Sequence, residues 1–434
     1  MKDSFSWKLN RFFLKCPRAV CQFYELCRLA AGKIFAGGIF RYEHTPCWYN
    51  YCARQDDGGK KVKYSVPDIK NPLELPGRDW FHLARPFRIH EHISFNFDAA
   101  IEAYPQLKGI AFIFFMGAGD YLYASPIFPE LKNKYPHIDF IALAGDKNDR
   151  NNSALVAQLL KTNPCFSSVG TYPEGRRHPV IWKNYDYRAA LENVPKDYLA
   201  VPVYYDYSVK ASHRVHSLFE TYGLPLPAGG NTEETPAPVM YFPGEPSEAV
   251  KEYCGLIEKM CGMENSNAEN SAGKDIVFLQ LDSRGSNYTY PYIRRLAQML
   301  SAKYAVLSVT TGIAGIEGCL EIDIKKLPMN DTFRLLSMLS RKHKVSVISV
   351  NSVFWAASAG LHLPNLGLQH WHDPKLHNLW YSNITFLTDM IYEKIPRKYQ
   401  IQAGPECWKR HNKKIIDFLP EFIYKNFLDM AAGK

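Results

Sequence analysis

The residues best placed to do chemistry follow a long apolar run. Residues 110–116 read IAFIFFM, then come Gly117, Ala118 and Gly119, with Asp120 directly behind them. Such a run, bounded by glycines, is typical of a strand buried on both faces of a parallel sheet. Asp120 would then lie at the rim of the sheet near a helix start, where a carboxylate can take a proton from an acceptor hydroxyl. An aspartate that only caps the helix suits the same place, so both roles stay open.

A second candidate site follows another apolar run, at residues 345–350. Asn351, Ser352 and Val353 come next and lead into a predicted helix. The start of a helix offers free backbone N–H groups and the positive end of the helix dipole, which together favour a diphosphate. We therefore expect these three residues to bind the leaving group of a nucleotide donor.

Two loops could complete a donor site. Ser283 and Arg284 follow the predicted strand 276–281, and the planar guanidinium of Arg284 could bridge phosphate oxygens. His370 opens the sequence HWHD after the last clear strand, where it could contact the base or sugar of a donor. The other interpretations, a surface arginine and a partly buried loop anchor, are equally open.

Alternating strands and helices predict the elements that position these residues. The fold class we expect is α/β, with two Rossmann-like doubly wound domains facing each other across a cleft and a basic helical extension at the N-terminus. The expected divisions of the chain are an extension and connector at 1–105, an acceptor domain at 106–235, a linker at 236–274, a nucleotide-sugar domain at 275–385 and a C-terminal helical segment at 386–434. Ligands of such sheets bind at the carboxyl ends of the strands.

The motif around Asp120 resembles a known family. The spacing of its Gly, Asp, Leu, Pro and Lys residues is similar to the N-terminal signature of glycosyltransferase family 9, the heptosyltransferases of lipopolysaccharide biosynthesis; the residues are Gly119, Asp120, Leu122, Pro126, Leu131, Lys132 and Pro136. The resemblance implies the GT-B fold, with Asp120 as catalytic base and Gly117 and Gly119 beside the donor. It also implies a metal-independent, inverting transfer of heptose or a related sugar from a nucleotide-diphosphate donor to a lipopolysaccharide, lipid-linked or other envelope glycan acceptor, without a cofactor.

The second motif departs from the family pattern. Asn351 stands where the family has Asp, Val353 where it has Gly, Ala356 where it has His, and Tyr288 where it has Lys. Backbone N–H donation survives these changes, whereas the carboxylate and imidazole do not. The alternative hypothesis is therefore a catalytically degenerate protein that binds glycans or acts as a scaffold in polysaccharide assembly.

Composition narrows the partners and the location. The 434 residues carry a net charge of +9, too little for a chain-wide nucleic-acid footprint, and no Asp-x-Asp, GxGxxG or phosphate-loop lysine motif occurs.

Residues 1–41 are basic and amphipathic, so this segment either lies on an anionic membrane or docks on the protein itself. Unchanged sedimentation with anionic liposomes after deletion of the segment would exclude the first role. We expect a cytoplasmic protein with reduced cysteines, peripheral on the inner face of the plasma membrane; a metal or redox role for the five cysteines at 16–52 stays open.

Overall fold

The computed structural model describes most of the chain beyond residue 107. The described residues are 52–55, 61–63, 92–95, 97–103, 105, 107–114, 117–146, 152–173, 193–195, 197–203, 214–225, 235–262, 274–282, 289–369, 381–389, 391, 395–407 and 416–433. The basic segment 1–41, Ser283, Arg284, Tyr288 and His370 lie outside them. Their roles therefore stay predictions.

The first lobe is built on a four-stranded parallel sheet. Its strands are β4 (Gly109–Phe114), β5 (Asp139–Asp146), β6 (Ser168–Pro173) and β7 (Tyr198–Pro202), in the order β6-β5-β4-β7. All six residues of β4 are buried, as the continuous apolar run predicts for a central strand covered on both faces. Phe112 packs edge-on against Phe128 and Phe140, with ring centroids 5.2 and 5.3 Å away.

The helices of this lobe confirm the predicted alternation, with one difference. The helices after β4 are α2 (Ala118–Ala124), α3 (Ile127–Lys134), α4 (Asn152–Thr162) and α5 (Arg214–Thr221). The sequence predicts one helical stretch after Gly119, whereas the structure has two helices, separated at Ser125 and Pro126. Pro126 has no N–H to donate, and the Ser125 hydroxyl donates to the carbonyl of Leu122 over 2.7 Å, so the first helix ends there.

The second lobe is built on a larger sheet of seven parallel strands. Its strands are β8 (Ile276–Gln280), β9 (Ala305–Ser308), β10 (Cys319–Glu321), β11 (Val345–Val350), β12 (Asn365–Gln369), β13 (Ile384–Thr388) and β14 (Gln400–Gln402), in the order β10-β9-β8-β11-β12-β13-β14. The helices around it are α6 (Glu248–Met260), α7 (Ile293–Ser301), α8 (Met329–Leu339), α9 (Val353–Gly360) and α10 (Pro420–Ala431). The chain first builds outwards from β8 to β10 and then from β11 to β14 on the other side. The boundary between β8 and β11 is therefore the topological switch point of the sheet.

The two faces of the second sheet have different partners. On one face Val350, Leu366 and Leu368 join a core that includes residues of α7 and α10. On the other face the sheet shares a continuous apolar core with α9, α8 and the first lobe. The side of the sheet that α9 covers is therefore the side that meets the first lobe.

Several elements were not indicated by the sequence pattern. Within the stretch interpreted as a connector, β1 (Cys52–Gln55), β2 (Lys61–Lys63) and β3 (His92–Phe95) form a small antiparallel sheet, and α1 (Phe97–Ala103) follows it. Phe97 is buried and stacks on Tyr222, with centroids 5.9 Å apart, so α1 belongs to the core of the first lobe. The short strands β1, β2, β10 and β14, of three or four residues, show too few alternations to be recognised by period.

The segment before α6 contacts both lobes. The Val239 N–H donates to the hydroxyl of Ser125 at the end of α2, over 2.7 Å. At the end of α9, a Cβ on Gly360 would lie 2.5 Å from the carbonyl oxygen of Pro238, so backbone approaches backbone there. Residues 238–239 therefore contact both α2 and α9 and fix the two helices relative to each other.

Two further expectations concern cysteines and membranes. The described cysteines outside β1 (Cys165, Cys254, Cys261, Cys319 and Cys407) are free thiols, and burial raises the pKa of each. Within the described part of the chain, none of the helices has both the length and the apolar character needed to cross a bilayer.

Candidate active site where two helix starts meet

The two motifs picked out from the sequence meet at one place. A Cβ on Gly119, the second residue of α2, would lie 3.5 Å from the Cα and 3.8 Å from the nitrogen of Val353, the first residue of α9. Further along α2, Tyr123 stacks on Tyr381, just before β13, with centroids 6.2 Å apart. The lobes are therefore in contact here, and the start of α9 lies directly beside the residue that precedes Asp120.

Asp120 has a structural partner at the start of its own helix. It is the third residue of α2, and its Oδ2 accepts the backbone N–H of Gly117 over 3.1 Å. The Gly117 carbonyl in turn accepts the N–H of Tyr121 over 3.0 Å. Asp120 remains partly exposed. The N-cap of α2 is therefore Gly117 and not Asp120, but the bond from the Gly117 N–H fixes the carboxylate at the helix start without burying it.

Ser352 caps α9 and ties it to the neighbouring strand β8. Its hydroxyl accepts the N–H of Phe354 over 3.1 Å and donates to Oε1 of Gln280 over 2.5 Å. Gln280 is the last residue of β8, and its own amide group donates to the carbonyl of Asp282. These bonds connect β8 and α9 across the switch point of the sheet, where ligands of doubly wound sheets bind.

A buried polar network holds the body of α9 in place. The amide nitrogen of Asn365 donates to the hydroxyls of Ser349 and Ser358, both over 3.0 Å. The indole N–H of Trp355 donates to the carbonyl of Ser349 over 3.3 Å. The six residues 354–359 are all buried, which is expected for a helix packed between a sheet and a second helix. The start of α9 is therefore held rigidly at the carboxyl edge of β11.

The structure brings together part of the predicted site. Gly119 and Val353 are in contact, and Asp120, Asn351 and Ser352 adjoin them in the chain. The N–H of Gly117 already serves Asp120. Gln280 was missed by the sequence analysis, although its place as a polar residue at the end of an otherwise apolar strand is a signal for the carboxyl edge of a sheet.

Ala356, which stands where the family has His, is fully buried. Its exposed fraction is 0%, and it lies within the packed part of α9. Val353, where the family has Gly, packs in part against the shared core and in part faces solvent. The start of α9 thus offers backbone groups and the serine hydroxyl rather than an imidazole.

Glu321 has a defined task in the loop after β9. The Glu-x-Asp sequence of Glu321 and Asp323 is typical of exposed strand residues. Oε1 of Glu321 instead accepts three backbone N–H groups, from Gly312, Ile313 and Ala314, over 2.6 to 2.8 Å. Burial works to raise the pKa of this carboxyl, and the three N–H groups outweigh it, so the pKa is lowered overall. The carboxylate therefore fixes the loop at the carboxyl end of β9.

No metal centre is evident in the described residues. Nowhere in that part of the chain do three histidine, cysteine, aspartate or glutamate side chains come together in a way that could hold an ion. The polar groups at the meeting of α2 and α9 are a carboxylate, a hydroxyl, amides and backbone N–H groups.

The fold thus defines an α/β protein with two parallel sheets whose motif-bearing helices meet. No protein-family model and no curated protein matches the chain. Among solved structures, it resembles a glycosyl transferase family 9 protein from Veillonella parvula DSM 2008, with 12% identity and a TM-score of 0.48 over 76% of this chain and 99% of that chain.

Two enzymes from E. coli are also similar. ADP-heptose lps heptosyltransferase II is 13% identical, with a TM-score of 0.44 over 75% of this chain and 99% of its own. Heptosyltransferase WaaC, solved with ADP, is 15% identical, with a TM-score of 0.39 over 74% of this chain and 98% of its own. These neighbours bear the family name that the motif at Asp120 resembles.

Proposed function

We propose that this protein is a metal-independent, inverting glycosyltransferase. It would move a heptose or related sugar from a nucleotide-diphosphate donor to a lipopolysaccharide or other envelope glycan. The observation that carries this proposal is the contact between Gly119 and Val353, which brings the carboxylate-bearing start of α2 to the N-terminus of α9. A proton acceptor and a set of hydrogen-bond donors for a leaving diphosphate are the two things that this reaction requires.

The reaction would proceed as one displacement. The carboxylate of Asp120 takes the proton of an acceptor hydroxyl while that oxygen forms a bond to the anomeric carbon of the donor sugar. The bond between the anomeric carbon and the diphosphate oxygen breaks, and the nucleoside diphosphate leaves with the electron pair. The developing negative charge is stabilised by the N–H of Val353 and by the positive end of the α9 dipole, at a helix start that Ser352 and Gln280 hold in place.

A second candidate is the glycan-binding or scaffolding protein without catalysis. The burial of Ala356 favours it, because the position where the family has histidine can present no polar group to a diphosphate. An enzyme must bind at least one sugar nucleotide, whereas such a scaffold binds none. Calorimetry of the full chain with ADP, GDP, UDP and their sugar derivatives separates the two candidates.

The test of catalysis is the Asp120→Asn variant. Asparagine keeps the size of the side chain and an oxygen that can accept the Gly117 N–H, but it cannot take a proton at neutral pH. We expect turnover to fall by about 10²- to 10⁴-fold, the usual contribution of a general base. The affinity for the donor should stay within a few fold of the wild type.

A matched control is available in α10. Asp429→Asn makes the same chemical change on the far face of the second sheet, where α10 packs on α7, and should leave turnover unchanged. An Asp120→Asn protein that binds donor and turns over at the wild-type rate would contradict the mechanism.

A further inference from the structure

Gln369 ends strand β12 at the carboxyl edge of the second sheet. In the register of the sheet, Leu368 lies level with Val350, so Gln369 lies level with Asn351, one strand further from the switch point. Neighbouring strands are about 4.8 Å apart. Gln369 is therefore one strand spacing from the residue that leads into α9.

The side chain of Gln369 lies on the same face of the sheet as α9. A Cβ on Gly367 would lie 3.3 Å from the indole nitrogen of Trp355, in the first turn of α9, and 3.1 Å from the ring of Phe386, which packs on that indole. Residues two apart in a strand share a face, so the Gln369 side chain projects towards α9 as well. Helix α9 starts at the carboxyl edge of the sheet and runs back over it. Gln369 lies two residues closer to that edge than Gly367, and so on the side of Trp355 where the helix begins, at Val353.

The amide group of Gln369 has no partner among the described residues. Its exposed fraction is 2%, and neither its Nε2 nor its Oε1 makes a hydrogen bond. A buried polar group left unpaired costs about 1–3 kcal/mol, and most such groups in folded proteins are paired. Leucine or methionine would fill this buried place at the end of the strand without that cost. An amide here is explained if a ligand pairs with it.

We propose that Gln369 is a donor-recognition residue. Its amide N–H and carbonyl would pair with an adjacent acceptor and donor on the nucleotide sugar, next to the diphosphate at the start of α9. Both the edge of a nucleobase and two neighbouring sugar hydroxyls offer such a pair of groups. This inference rests on the proposed function, because it needs a nucleotide-diphosphate donor in the site.

The experiment compares Gln369→Met with Gln402→Met. Methionine matches the length and volume of glutamine and removes both hydrogen-bonding atoms. Gln402 ends β14 at the same edge of the sheet but is exposed, so its variant makes the same change outside the proposed contact. Calorimetry with ADP, GDP, UDP and their sugar derivatives, together with thermal unfolding of the unliganded proteins, measures the effects.

We expect Gln369→Met to weaken binding of the preferred donor at least tenfold, with an unchanged or higher Tm, while Gln402→Met changes neither. Weakening already seen with the nucleoside diphosphate assigns the contact to the nucleotide, and weakening seen only with the sugar derivative assigns it to the sugar. Wild-type affinity in Gln369→Met would overturn the inference while leaving the proposed function intact. A lower Tm would also overturn it, since the amide would then serve the fold. If the wild type itself binds none of the probes, the proposed function fails and the inference fails with it.

Discussion

The starts of α2 and α9 differ in the side chains that hydrogen-bond to their backbone N–H groups. Both helices follow a central strand of a parallel sheet, β4 and β11 respectively. At α2 the first N–H is satisfied by a carboxylate three residues into the helix, Asp120, which adds a negative charge to the helix start. At α9 the cap is the neutral hydroxyl of Ser352, which is held by Gln280 of another strand.

This difference suits the two helix starts to different roles in the proposed reaction. The charged start of α2 suits a proton acceptor, and the neutral start of α9 leaves the positive end of its dipole available to an anion. Changes that separate the two helix starts should therefore affect activity more than changes that only weaken one of them.

The largest effect is expected from Gly119→Val. A Cβ at this position reaches ordinary contact distance from Val353, at 3.5 Å, so the two further methyl groups of valine force α2 and α9 apart. A displacement of about 1 Å between reacting groups can lower turnover by about 10²-fold. We expect a loss of that size in transfer activity and about 1–3 kcal/mol of unfolding free energy.

Gly119→Ala is the matched control for this change. Its single methyl group fits at the observed distance, and alanine favours a helix over glycine by up to about 1 kcal/mol. Activity and stability should therefore stay at or slightly above the wild-type level. Equal activities for the alanine and valine variants would show that the contact between the helix starts has no part in catalysis.

A smaller effect, mainly on stability, is expected at the other end of α9. Gly360→Ala would place a Cβ 2.5 Å from the carbonyl oxygen of Pro238, which is backbone and cannot rotate away. We expect a loss of about 1–3 kcal/mol in the free energy of unfolding, measured with denaturant. Gly255→Ala, in α6 with no atom near the new methyl group, should instead gain up to about 1 kcal/mol. A Gly360→Ala protein as stable as Gly255→Ala would mean that the backbone at Pro238 moves aside for the new methyl group without a loss of stability.

The sequence predicted those parts of the molecule whose pattern is local. Buried strands such as β4 and β11 are continuous or nearly continuous apolar runs, and the helix predicted after Asn351, Ser352 and Val353 is present as α9, with Ser352 as its cap. The contact of Gly119 with Val353 could not be read from the chain, since it depends on packing between residues more than two hundred positions apart. The resemblance to a family suggested it only indirectly, by placing both motifs in one site.

The polar groups at the sheet edge likewise could not be recognised from a local sequence pattern. Gln280 and Gln369 each end a buried strand, and in sequence such a residue marks the end of a strand and nothing more specific. Only the register of the strands shows that both lie on the face that α9 covers. Glu321 was likewise interpreted as exposed, because the N–H groups that it binds lie in a loop whose shape sequence periodicity does not report.

The smallest change with a measurable effect is Ser352→Ala. It removes the cap of α9, which costs about 1 kcal/mol, and it takes a donor from the buried Oε1 of Gln280. Ser247→Ala removes the corresponding cap of α6, a bond of 3.4 Å to the Val250 N–H, at an exposed place remote from the start of α9. Both variants should lose about 1–2 kcal/mol of unfolding free energy, with the larger loss for Ser352→Ala. Only Ser352→Ala should also weaken binding of the nucleoside diphosphate, by a few fold in calorimetry, because only there does the cap hold in place the helix start that would face the ligand. Equal affinities in the two variants would mean that the start of α9 does not hold the diphosphate. The two helix starts would then not have the separate roles of proton acceptor and diphosphate site.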